Sequence, residues 1–250
     1  MSIGGMRYRA DGRTPGQMRP VSIQMDVQKW ASASLIYKQG DTHVICSATV
    51  EDRVPPHLRG KGTGWVTAEY AMLPAATSER MQRESVRGKL GGRTYEIQRL
   101  VGRSLRGVVD TSVMGEKTVV VDCDVLQADG GTRCASITGG YIALVLALRK
   151  ANLERAIVGK IAAISVGIVE DSPLLDLEYR EDSSAEVDFN VIGTDAGTYV
   201  EVQGTAEGKP FDRAQMDQLL GLADGGLKKL FEIQDAVLKG EATKAEQTGA

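Results

Sequence analysis

The chain has 250 residues, 42% of them hydrophobic and 25% charged, with a formal net charge of −3. This suits one large domain or two small ones, and it excludes a disordered chain or a protein coated in basic residues. No apolar run reaches membrane-spanning length, and the opening MSIGGMRYRADGR has no signal-peptide core, so a cytoplasmic protein with no membrane contact is expected.

Residues 1–18 read as a loosely held arm. Strands follow near 20–28, 33–39 and 42–50, with Gly40-Asp41 as the hairpin turn between the last two. Val54 to Gly64 is a loop carrying Pro55-Pro56 and three glycines, and Trp65 to Leu73 is again a strand. Thr77 to Leu90 is polar and Arg-rich, a mobile loop or a marginal helix. A helix is predicted from Arg93 to Val108, with Ile97, Leu100, Val101, Leu105 and Val108 on one face and Arg99, Arg103 and Arg106 on another. Arg93 opposes the dipole at the helix start; a bound anion or plain solvent exposure accounts for it.

The stretch from Lys117 to Leu148 is the most informative. Thr118 to Leu126 is rich in β-branched residues and reads as a mostly buried strand, although Asp122 and Asp124 interrupt it. Gln127 to Arg133 is a turn with paired glycines, and Ala135 to Leu148 is apolar nearly all round, as in a buried helix. A glycine turn entering a helix exposes unpaired N–H groups at the positive end of the dipole and suits a phosphate. Thr132 adds a hydroxyl and Arg133 a planar fork; the ordinary alternative is a plain turn with Arg133 in water.

Ala162 to Val169 and Leu174 to Leu177 are strand-like, Val187 to Ile192 alternates apolar and polar, and Thr198 to Gly204 is another strand. Asp212 caps a last helix, with Gln215 completing a capping box and its apolar stripe broken at Gly225-Gly226; residues 241–250 form a polar, flexible tail. Setting Ser34–Glu51 over Asn190–Glu207 matches five residues, including Thr42/Thr198 and Val44/Val200. This supports two similar βαβα halves, roughly 19–150 and 151–240, in one compact domain over 19–240.

Three features bear on chemistry. Between Glu181 and Asn190, Asp182, Glu186 and Asp188 crowd together, a set that suits Mg²⁺ or an exposed acidic hairpin end. Asp182 and Asp188 are about 20 Å apart if fully extended, so they share a site only if the chain turns at Ser183-Ser184. From Ser78 to Gly107, eight Lys/Arg face three Glu, while from Glu170 onward eighteen acids face seven bases. One basic segment in an acidic chain reads as a polyanion track or a solvated helix face. Cys46, Cys123 and Cys134 lack metal-ligand spacing and read as reduced thiols; Cys134, beside Arg133 at a helix start, is either activated or inertly packed. No phosphate-loop motif of the Gly-x-x-x-x-Gly-Lys-Ser/Thr type occurs.

The stretches GDTHVICSATVED, GWVTAEYAMLP, GGRTYEIQRLVGRSLR, DCDVLQADGGTRCASITGG, SVGIV, DLEYREDSSAEVDFN and EVQGTAEGKPF together resemble the RNase PH family of phosphate-dependent 3′-to-5′ exoribonucleases, over roughly residues 9–238. The resemblance implies an α+β fold of duplicated βαβα units. It implies phosphate binding by Arg93, Gly131, Thr132 and Arg133, and catalysis by Asp182 and Asp188, through Mg²⁺ or as a general acid. Arg80, Arg83 and Arg87 would hold RNA. It further implies inorganic phosphate as co-substrate, precursor tRNA 3′ ends as substrate, and a hexameric ring built as a trimer of dimers. Cys134 departs from the family pattern, where a Thr or similar is expected. The rivals are an inert RNA-threading ring subunit of exosome type and a hydrolytic nuclease that uses the acidic cluster and water.

Overall fold

A computed structural model describes residues 2–3, 6–7 and 9–240; the tail expected at 241–250 lies outside them. Two short strands, β1 (Ser2–Ile3) and β2 (Met6–Arg7), pair antiparallel. Next come β3 (Val21–Met25), β4 (Ala33–Gln39) and β5 (Thr42–Glu51), an antiparallel meander. Then β6 (Trp65–Met72), the single turn α1 (Glu84–Arg87) and α2 (Gly92–Arg106) lead to β7 (Thr118–Gln127). β7 pairs antiparallel to β5 and parallel to β6, giving the sheet order β3-β4-β5-β7-β6. A parallel pair needs a crossover, and α2 supplies it, packing back on β6.

The chain continues through α3 (Thr132–Lys150) into β8 (Ile161–Val169), β9 (Ser172–Leu175), α4 (Tyr179–Ser184), β10 (Val187–Thr194), β11 (Tyr199–Ala206) and α5 (Arg213–Leu238). The second sheet is antiparallel, ordered β11-β10-β8-β9, with α5 packed on it. The fold is α+β, as expected, and the two hairpins aligned by the internal repeat, β4-β5 and β10-β11, are both present.

α3 is the hub. It packs on β4, β5 and β7 of one sheet and on β8 of the other, and fifteen of its nineteen residues are buried. That is why its sequence is apolar on every side rather than amphipathic. A Cβ at Gly139 would lie 2.8 Å from the Tyr37 Cβ, so glycine sets how closely α3 approaches β4. Most strands fall within a few residues of their predicted spans.

The last helix forms as one element, as expected: α5 runs through Gly225-Gly226, and a Cβ at Gly226 would sit 2.6 Å from Ile164 Cδ1, so this glycine permits close helix–sheet packing. One expectation needs correction. Residues 9–18 are not loosely held. Arg9 donates to Glu181 Oε1 (2.6 Å) and to the carbonyls of Leu175 and Asp176 (2.6 and 2.8 Å), and Arg13 donates to the Asp176 carbonyl (2.9 Å). Arg19 adds a bidentate pair with the Asp176 carboxylate (3.0 and 2.7 Å). All five side chains are buried. Charges out of water persist only when paired and hydrogen-bonded, so this network clamps the segment onto the second sheet.

Candidate active site

The turn after β7 is built for glycine. Gly130 and Gly131 have φ of 71° and 64°, the left-handed region that glycine enters without penalty. A Cβ on Gly130 would also strike the Leu177 carbonyl at 2.4 Å. The Thr42 hydroxyl donates to the Gly130 carbonyl (2.6 Å) and accepts from the Asp129 amide (3.0 Å), while Arg19 donates to the Asp129 carbonyl. Gly131 is the N-cap of α3 and offers no side-chain cap, so the first amides of a nineteen-residue helix have no side chain accepting from them. Such amides and the helix dipole favour an anion.

Thr132 begins α3, and its buried hydroxyl accepts from the Tyr70 hydroxyl at 3.0 Å. Arg133 follows, only 13% exposed, and bridges Glu96 Oε1 (3.2 Å) and Gln203 Oε1. Gln203 also donates to Glu96 at 3.3 Å, so the fork of Arg133 is held between α2 and β11. Arg93 is exposed in the first turn of α2, whose N-cap Gly91 also provides no side-chain cap. The two guanidinium groups come from separate parts of the chain, yet both favour the ionised form of the same three groups: the Tyr70 hydroxyl, Asp182 and Asp188. They converge on one locus.

α4 brings the carboxylates there. Its six residues turn the chain between β9 and β10, so the extended separation of Asp182 and Asp188 collapses. A capping box between Glu178 and Glu181 fixes its start, and Glu181 is pinned by Arg9. Burial raises the Asp182 carboxyl against the pull of Arg93, Arg133 and Arg19. Asp188 is pushed up to about 6, first by burial and then by Asp182, against Arg133 and Arg93. Like charges sharing a site resist joint ionisation. Asp188 Oδ1 is buried with no hydrogen-bond partner. Glu186 does not join them; it is exposed and accepts from the Asp171 amide at 3.2 Å.

A cleft of about 990 Å³ opens beside these groups, lined by Arg93, Gly130, Gly131, Thr132 and Asp182, and by Arg83 and Arg87 from the basic segment. Arg133, Asp188 and Arg80 do not line it. Cys134 is buried, donates to Asn190 Oδ1 (3.3 Å) and has its thiol pushed up by burial, so the packed reading holds and activation does not. Sequence reasoning missed the supports: Tyr70, Glu96, Gln203, and the Arg19–Asp176 pair behind the turn. Of these, only Arg19 lay outside the stretches that carried the resemblance.

Uncapped helix amides, two arginines and two crowded carboxylates thus lie together in one region of the described residues, an arrangement suited to phosphate groups. The chain belongs to the 3′ exoribonuclease family: that family's domain 1 matches residues 17–150 and its domain 2 matches residues 159–226. It is 55% identical to a ribonuclease PH of Syntrophomonas wolfei subsp. wolfei (strain DSM 2245B / Goettingen), over 92% of this chain and 98% of that one. Among solved structures, rice (Oryza sativa) Rrp46 superposes with a TM-score of 0.76 at 19% identity, covering 92% of this chain and all of that one. An Archaeoglobus fulgidus exosome with RNA bound to the active site also gives 0.76, at 23% identity and 90% and 92% coverage. These two likenesses concern the fold alone.

Proposed function

We propose that this chain is a phosphorolytic 3′-to-5′ exoribonuclease. Inorganic phosphate, seated by Arg93, Arg133, the Thr132 hydroxyl and the Gly131 end of α3, attacks the last phosphodiester of an RNA 3′ end. A bond forms from a phosphate oxygen to phosphorus, the bond to the 3′ oxygen breaks, and that oxygen takes a proton. The products are a nucleoside diphosphate and an RNA one nucleotide shorter. One linkage of phosphate replaces another, so the reaction runs backward when diphosphates are abundant.

The observation that carries this reading is the cleft lined at once by Arg93, Gly131, Thr132 and Asp182, with Arg93 and Arg133 both favouring the ionised form of the two aspartates. Two anions must be brought together, and positioned positive charge reduces their repulsion. Asp182 and Asp188 fit Mg²⁺, which takes one or two carboxylates and keeps several waters. The unpartnered Asp188 Oδ1 is the kind of atom such an ion satisfies, and no third metal-ligating side chain joins the pair among the described residues. Bound there, Mg²⁺ would offset charge on the phosphoryl oxygens. With its carboxyl near 6, Asp188 is also suited to protonating the leaving oxygen.

Arg83 and Arg87, on the cleft wall, track the RNA backbone, with Arg80 further out. The reading extends to precursor tRNA ends as substrate, to cytoplasmic action and to a hexameric ring, read as a trimer of dimers. It favours catalysis over the inert ring subunit, because the likeness to exosome structures is 19–23% in identity against 55% to a ribonuclease PH. Incubating end-labelled RNA with and without phosphate tests it: diphosphates that appear only with phosphate support it, and monophosphates that appear in its absence overturn it.

A further inference from the structure

The phosphate-handling groups explain the polar part of the cleft but not its apolar part. Met81, Leu90 and Tyr179 line the same wall and are 41%, 50% and 55% exposed. Large apolar side chains in a cleft need an occupant that phosphate does not supply. Tyr179 stands apart from the other two because its position is fixed by the site itself. It is the first residue of α4, three before Asp182, and residues three apart share a helix face. Its amide donates to Asp129 Oδ1 at 3.1 Å, and it lies against the turn, 3.2 Å from where a Gly130 Cβ would be. The Tyr179 backbone is thus tied to the phosphate turn on one side and to the Asp182 helix on the other. Its hydroxyl makes no hydrogen bond among the described residues, and its side chain stands exposed on the cleft wall.

We propose that Tyr179 is a positioning residue: its ring stacks on the base of the 3′-terminal nucleotide and sets the scissile phosphate against Asp182 and the bound phosphate. This deepens the phosphorolytic reading and rests on it. Stacking suits an exonuclease that must accept every base in turn, since each base has a π-face and no hydrogen-bond code is read.

The test uses the full-length protein, saturating phosphate, and two RNAs that differ only in whether the 3′-terminal nucleotide carries a base or is abasic. Wild-type enzyme should remove the base-bearing nucleotide with a kcat/KM about ten-fold or more above the abasic one, the scale of a base–aromatic stack. Tyr179→Ala should erase that difference by losing activity on the base-bearing RNA alone, leaving the KM for phosphate unchanged, and Tyr179→Phe should retain it. The proposal is overturned if Tyr179→Ala lowers both RNAs equally, if it leaves the base-bearing RNA unaffected, or if Tyr179→Phe is as damaging as Tyr179→Ala. Circular dichroism of each variant separates misfolding from lost stacking. Wild-type turnover with and without phosphate in the same series tests the underlying reaction separately.

Discussion

Replacing Asp188 by Asn should make the protein more stable while abolishing its activity. Asp188 is held largely out of water beside Asp182, and its carboxyl rises from 3.8 to about 6. At 1.36 kcal/mol per pKa unit, forcing it to ionise at neutral pH costs about 3 kcal/mol of folding stability. The Asn amide removes the charge but brings a donor into a position where Oδ1 already lacks a partner, which offsets about 1–2 kcal/mol. A net gain of about 1–2 kcal/mol corresponds to roughly 2–8 °C in Tm for a chain of this size. The sign follows from linkage. The folded-state carboxyl lies above its unfolded value, so the penalty is full above about pH 6 and gone below 3.8. Thermal melts of both proteins in chelator-treated buffer at pH 8 and pH 5 should show the Asn variant ahead at pH 8 and the gap closing at pH 5. Turnover should fall at least 100-fold with RNA affinity little changed. A variant less stable than wild type at pH 8, or a gain independent of pH, refutes the electrostatic account of the pair.

Arg133→Ala should raise the KM for phosphate about 10- to 100-fold, the equivalent of one lost charged hydrogen-bonding group at 1.5–3 kcal/mol, with an unchanged circular dichroism spectrum; unaltered phosphate dependence would remove Arg133 from the site. Burial alone would raise the Asp176 carboxyl, but Arg19 and Arg13 hold it below its ordinary value, so its stabilising effect is present above about pH 3.8 and lost as the pH falls further. Asp176→Asn should therefore cost about 3–5 kcal/mol in urea unfolding at pH 7 and lessen the acid sensitivity of the fold; a loss under 1 kcal/mol would show the network to be dispensable. Replacing both Arg83 and Arg87 by Ala should flatten the dependence of log affinity for single-stranded RNA on log salt by about 1.4, whereas Arg80→Ala should change it less, because Arg80 lies outside the cleft wall. Equal effects would relocate the RNA track.

Most of the fold was legible because its signals are local. The β-branched run of β7, the all-apolar α3 and the Asp212/Gln215 box each predict their own element. What local reading missed came from tertiary context. Gly225-Gly226 read only as a gap in the apolar stripe of the last helix, yet the close approach of Gly226 to Ile164 shows a packing demand that no window of sequence contains. Residues 1–18 read as a loose arm because the partners of Arg9 and Arg13, Glu181 and Asp176, lie about 160–170 residues away. The candidate residues themselves were legible chiefly through resemblance. Spacing alone left Asp182 and Asp188 apart, and the short helix that joins them depends on the Glu178–Glu181 cap and on Arg9 from the far end of the chain.

The central claim is that the nucleophile is phosphate, seated where Arg93 and Arg133 meet the two aspartates. The most direct test is turnover of RNA in phosphate labelled with ¹⁸O, followed by mass spectrometry of the released nucleotides. All of the phosphate oxygens should appear in nucleoside diphosphates, and the shortened RNA should carry none. Unlabelled nucleoside monophosphates, with an oxygen drawn from water, would contradict it.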